Sequence, residues 1–217
     1  MAVTREVTAN LSNDASSPNN QSIDCTGVDT LVALVEDPVN TEGNTTGATY
    51  NSVAMTEMGR VNRGGTNRQL IIYGLHNPAS GSNTLSVTRS SDSVGRFLVG
   101  AYGWAGTDTD ASLTGHDESV SSASSSGATL TFGNAVGDVC MMISVSSSGG
   151  QAAGSGSTLT DSFDIISVYV SNPSPTTSEN HSMTMTQTTG QLGLVGVYLT
   201  ASEGGGGGQN SSFLKFM

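Results

Sequence analysis

The sequence predicts an all-β, antiparallel two-sheet β-sandwich of jelly-roll or immunoglobulin-like type with about ten strands. Three observations carry that expectation. Apolar residues are gathered into blocks of roughly four to eight, separated by Gly, Ser, Asn, Asp and Thr, which is the pattern of strands and their turns. Helical periodicity is nearly absent: the best helical candidate, residues 30–37, is too short and too β-branched to be preferred over a buried strand. Turn chemistry falls between the apolar blocks and not inside them.

Residues 31–35, 70–75, 139–145 and 192–199 are apolar at successive positions. They are expected as central strands, or as strands whose outer face meets a neighbour. Clean alternation marks three more: Leu85 and Val87 among Thr84, Ser86 and Thr88; Leu130 and Phe132 with Thr129 and Thr131; Met183 and Met185 among Ser182, Thr184 and Thr186. Weaker candidates are residues 3–11, 48–58, 97–104 and 163–170. Pro78 and Gly81 forbid a strand through residues 76–83. The short connection 133–138 predicts a hairpin between the strands ending at Phe132 and starting at Val139. Pro173 and Pro175 end the strand before them, because two prolines so close leave too few N–H groups for a ladder. The expected core is Leu70, Ile71, Ile72, Leu130, Phe132, Val139, Met141, Ile143, Leu194, Val195 and Val197.

Three regions follow from this pattern: an N-terminal strand or arm (1–27), a β-sandwich domain (28–202) and a Gly-rich linker with an apolar C-terminal peptide (203–217). A length of 217 residues fits one domain, or two small ones. Seven basic against eighteen acidic side chains give a net charge of −11, too few cations to neutralise phosphates, so neither a nucleic-acid partner nor an anionic membrane is expected. No segment approaches the roughly 20 apolar residues that span a bilayer. Residues 1–10 hold an acid and a base without an apolar run and do not read as a secretory signal. Only 12% of residues are charged, so the polar surface is built from Ser, Thr, Asn and the 28 glycines.

The succession of an apolar strand (70–75), an Asn-Pro-x-x-Gly turn, an alternating strand (Leu85, Val87), a Gly-Asp-led apolar strand (137–145) and a final apolar strand (192–199) resembles the β-sandwich domains of phage virion proteins, among them head-decoration and tail-associated proteins. The resemblance spans most of residues 28–202 and is one of rhythm, with no functional residues to carry over. It implies a non-enzymatic structural protein on the surface of a virus particle. Its partners would be copies of itself, in a homo-oligomer or lattice, and other virion proteins.

The search for chemistry is otherwise mostly negative. Cys25 and Cys140 lack CxxC spacing and clustered histidines, so no zinc or other metal site is assigned; they either pair or are buried as small hydrophobes, burial being favoured for Cys140 inside its apolar strand. His76, His116 and His181 are isolated from one another, no Gly-x-Ser-x-Gly elbow surrounds any serine, and no catalytic residue or cofactor is assigned. The acidic run 108–118 opens with the D-x-D-x-S spacing of an EF-hand loop, but Leu113 stands where the sharp turn needs Gly and Ser119 where a bidentate Glu is needed. A solvated loop is expected there. Arg60, Arg63 and Arg68 form the only close basic group, expected either on a solvated loop or against an acidic neighbour. Tyr102 and Trp104, at i and i+2 on one strand face beside the acidic loop, are the one aromatic pair able to form a carbohydrate-binding surface, the rival reading to assembly.

The last segment is the most informative. Five glycines (204–208) make a flexible spacer, and Phe213, Leu214, Phe216 and Met217 make an apolar peptide beyond it. Exposed on a monomer, such a peptide is an aggregation liability. Its expected role is to dock on a neighbouring subunit by adding a strand or filling a pocket.

Overall fold

The computed structural model describes residues 3–13, 18–38, 45–64, 68–90, 97–114, 117–132, 139–147, 150–163, 166–171 and 181–202. Among them the chain is all-β and antiparallel, as expected, but its fifteen strands form three sheets instead of two. The central sheet has the order β1 (Thr4–Asn13), β9 (Leu98–Ala105), β3 (Thr30–Asp37), β7 (Gln69–His76) and β6 (Thr56–Asn62). On one face lies a smaller sheet of β2 (Asn19–Asp24), β8 (Ser82–Arg89), β4 (Thr45–Tyr50) and β5 (Val53–Ala54). On the other lies a sheet ordered β10 (Asp117–Phe132), β15 (His181–Leu199), β11 (Val139–Ser146), β14 (Ile166–Ser171) and β13 (Thr158–Phe163), with β12 (Ala152–Ala153) paired to β15 outside that order.

The third layer explains the apolar blocks that lacked alternation. A strand in the middle sheet buries both faces: even-numbered Val32 and Leu34 of β3 join Met141, Ile143 and Val195 in one core, while odd-numbered Leu31, Ala33 and Val35 join Tyr50, Leu85 and Val87 in another. Every residue of β3 and of β11 is buried. All eleven residues expected in the core are buried, none more than 2% exposed.

A third core covers the outer face of the β11 sheet. Strands β10 and β15 pair along most of their lengths, with register shifts between Ser122 and Gly127. Phe132, paired in register with His181, nevertheless packs against Tyr198 at the other end of β15, with ring centroids 6.2 Å apart. The far half of the β10–β15 strand pair is therefore folded over the near half, and Leu130, Phe132, Met183 and Met185 cover Cys140, Met142, Leu192 and Leu194. Bulges of this kind bend a strand pair and raise its local twist.

Other expectations need correction. No hairpin joins β10 to β11: β15 lies between them and pairs with both, because its sixteen-residue and eight-residue partners each bury one of its edges. The connection 133–138 and the Pro173–Pro175 turn lie outside the described residues. Residues 48–58 are not one strand; Asn51 and Ser52, at φ 48° and 64°, turn the chain from β4 into β5. The N-terminal strand expected within residues 1–27 is present as two, β1 pairing with β9 and β2 with β8. The expected turn between β7 and β8 is present, with Asn77 at φ 49° and Gly81 at φ 82°. It moves the chain from the central sheet to the small one, and the Tyr50 hydroxyl lies within hydrogen-bond reach of the Ile23, Ala79 and Gly81 carbonyls, at 2.9, 3.3 and 3.0 Å.

Candidate functional site: an open lateral mouth

The central sheet and the β11 sheet stack strand over strand, so that β6 lies over β10 and β15 on one side and β1 over β13 on the other. The two sides end differently. At the β6 side the layers are shut: Gly64 N–H donates to the Leu192 carbonyl at 3.0 Å, and a Cβ on Gly193 would stand 3.0 Å from the Arg63 Cα. Glycine is required there because two backbones approach with no room for a side chain.

At the β1 side the layers part around a cleft of about 590 Å³ lined by Arg5, Trp104, Gly156, Ser157, Thr158, Thr160 and Val170. The cleft is made of two facing cross-strand pairs. Arg5 is in register with Trp104, and Thr158 with Val170. Each pair sets a polar residue of an edge strand at the rim and an apolar residue of the next strand at the floor, since directly opposed residues share a sheet face. β1 pairs only with β9, and β13 only with β14, among the described residues. Two sheet edges therefore border the same opening, and such edges are templates for a further strand.

One wall of the cleft is fixed. Gly154 N–H donates to the Thr184 carbonyl at 2.8 Å, Thr184 N–H donates to the Ser155 carbonyl at 2.9 Å, and Gly156 takes φ 73°, a left-handed conformation that disfavours a side chain. The Ser157 hydroxyl donates to the Gly154 and Thr184 carbonyls, so it is committed to the fold. Its described lining offers one guanidinium, hydroxyls, backbone edges and an apolar floor.

Tyr102 and Trp104 do share one face of β9, but that face points inward. They are 0% and 1% exposed, and the Trp104 indole N–H donates to the Met141 sulfur at 3.1 Å within the core. The expected aromatic platform is thus sheet-to-sheet packing, and Trp104 contributes only to the cleft floor. Burial pushes the Tyr102 hydroxyl well above the ordinary phenol range; the Asp161 carboxylate adds to the rise and Arg5 opposes it. That hydroxyl is buried with no hydrogen-bond partner.

The remaining candidates are structural. Arg60 holds both Glu57 carboxylate oxygens at 2.9 and 2.7 Å and donates to Gln69 Oε1 at 2.6 Å, while Arg68 donates to the buried Glu36 at 2.7 Å. Acids of their own chain, and not an acidic neighbour, pair with these two arginines. Cys25 and Cys140 are not joined in a disulfide and are buried in different cores, and burial pushes the Cys25 thiol up. In the acidic run, Asp108 accepts the Asp110 N–H at 3.0 Å, and no group of three or more potential metal ligands occurs among the described residues. His76 ties the run down: its Nδ1 meets the Thr30 hydroxyl at 2.8 Å and its Nε2 donates to the Ala111 carbonyl at 3.1 Å. His116 and Phe213, Leu214, Phe216 and Met217 lie outside the described residues. Sequence reasoning missed Arg5, Thr158, Thr160 and Val170, for their site exists only where two edge strands distant in sequence come together.

No family model, curated protein or solved structure matches the chain.

Proposed function

We propose that this chain is a non-enzymatic structural subunit of a virus particle, a phage head-decoration or tail-associated protein that assembles on the particle surface through its termini. Copies of itself and other virion proteins are its partners. The observation that carries this reading is the union of a stiff body with an adhesive segment. Three stacked sheets make a scaffold whose buried groups are spent on packing, and Phe213, Leu214, Phe216 and Met217 follow a five-glycine spacer beyond it. The rhythm of strands and turns shared with phage β-sandwich proteins supports the same reading. Imaging of particles reconstituted with the full chain, and with a chain lacking residues 203–217, tests it. The full chain is expected to occupy regular positions on the particle. A shorter chain that occupies them equally well would remove the anchor from the proposal.

A further inference from the structure

We propose that the mouth between β1 and β13 is the acceptor for residues 211–217 of a neighbouring copy, which enter it as an added strand; this rests on the assembly reading above and names its receiving surface. Both rims are edge strands, so an extended segment laid along either one finds unpaired backbone donors and acceptors in the plane of that sheet, while its inward side chains enter the mouth. Beneath lie Trp104 and Val170, an apolar floor continuous with the main core.

The occupant follows from chain length and chain position. Ser202, the last described residue, donates its N–H to the Gly106 carbonyl at 2.9 Å, two residues beyond Trp104. The start of the C-terminal segment and the mouth therefore both lie at the Trp104 end of β9. Residues 203–210 form a Gly-rich spacer with an r.m.s. reach of about 14–17 Å, enough to cross to a copy packed on that face. In an extended strand Leu214 and Phe216 fall on one side and Phe213, Lys215 and Met217 on the other. The uncharged side suits the floor of Trp104 and Val170. Lys215, the only lysine in a chain of net charge −11, then faces outward from that floor, and its charge complements an acidic body beside Asp161. On the opposite side of the sandwich Gly64 and Gly193 bring the layers into contact.

Cross-linking of full-length chains tests the assignment. One chain carries Thr160→Cys, the other Leu214→Cys, and the two are mixed under assembly conditions with a short bis-maleimide. The native thiols are 1% and 0% exposed and do not compete. A covalent dimer that forms in the mixture and in neither chain alone is the expected result. Absence of that dimer while the mixture still assembles overturns the mouth, and so does a double variant that links only within one chain. Deleting residues 203–217 separates the two levels of the proposal: loss of assembly without a cross-link leaves the tail as anchor and removes the mouth, whereas retained assembly removes both.

Discussion

Gly196 lies directly beneath Phe132: a Cβ at position 196 would stand 2.7 Å from the ring Cζ, 2.8 Å from Leu130 Cδ1 and 3.0 Å from the Met141 carbonyl oxygen. The glycine is what lets the folded-over half of the β10–β15 strand pair settle on the sheet below it. Gly196→Ala should destabilise the protein by about 1–3 kcal/mol, the ordinary cost of overpacking a filled core. Phe132→Leu should cost less in the Gly196→Ala background than in the wild type, because a shorter side chain relieves the contact. Urea unfolding of the four proteins in a double-mutant cycle measures the coupling, and strict additivity would contradict the fold-over packing.

The Glu36 carboxylate is 0% exposed on the side chain and takes its ion pair from Arg68 at 2.7 Å. Arg68→Met should cost up to about 3–5 kcal/mol, since it breaks the ion pair of a buried carboxylate, with the nearby Arg63 charge offsetting part of the loss. Adding Glu36→Met should recover much of that loss. Thermal unfolding of both variants decides whether the pair or the packing matters at this end of β3.

How far the sequence reveals this architecture depends on where each strand sits. β3, β7 and β11 are legible as apolar runs because layers cover both of their faces, and β8 is legible as alternation because one face is wet. The number of sheets was not, although Leu31–Leu34 carried the clue: a strand apolar on both faces needs two packing partners, and a two-sheet sandwich supplies one. The first half of β10, with Ser119, Ser121, Ser122, Ser124, Ser125 and Ser126, has almost no apolar signal; its place is set by pairing with β15. Tyr102 and Trp104 illustrate the limit for sites. Their i, i+2 spacing predicts a shared face, but whether that face meets water or another sheet is a tertiary fact.

Alkaline pH should weaken the fold through its buried tyrosines, Tyr50 and Tyr73 among them. Burial is the first cause in each case, pushing Tyr50 and Tyr73 up to about 12 from an ordinary value near 10. Between these values the unfolded chain has released protons that the folded chain still holds, so stability is whole below pH 10 and is lost as pH rises toward 12. Denaturant midpoints measured from pH 8 to about pH 12 should fall across that window. Tyr73→Phe should flatten part of the decline. Tyr50→Phe should flatten it too, while costing about 1–3 kcal/mol at neutral pH, because the carbonyls of Ile23, Ala79 and Gly81 lose their shared hydroxyl.

The linker and the apolar peptide should respond to mutation in opposite ways. Doubling the five-glycine run costs only about 0.6 kcal/mol of closure entropy, so a chain with ten glycines should be incorporated into particles almost as well as the original. Phe216→Asp should instead behave like deletion of residues 203–217. Each large apolar side chain contributes roughly 1.5–3 kcal/mol when buried, before the cost of immobilising the segment is subtracted. Because the contact proposed for the segment is with a neighbouring copy and not with its own body, the melting temperature of the isolated subunit should be unchanged in all these variants. Incorporation measured by quantitative gel analysis of purified particles, alongside calorimetry of the free subunit, distinguishes the cases. Tolerance of Phe216→Asp with intolerance of the longer linker would mean that spacing, and not apolar contact, is what the segment provides.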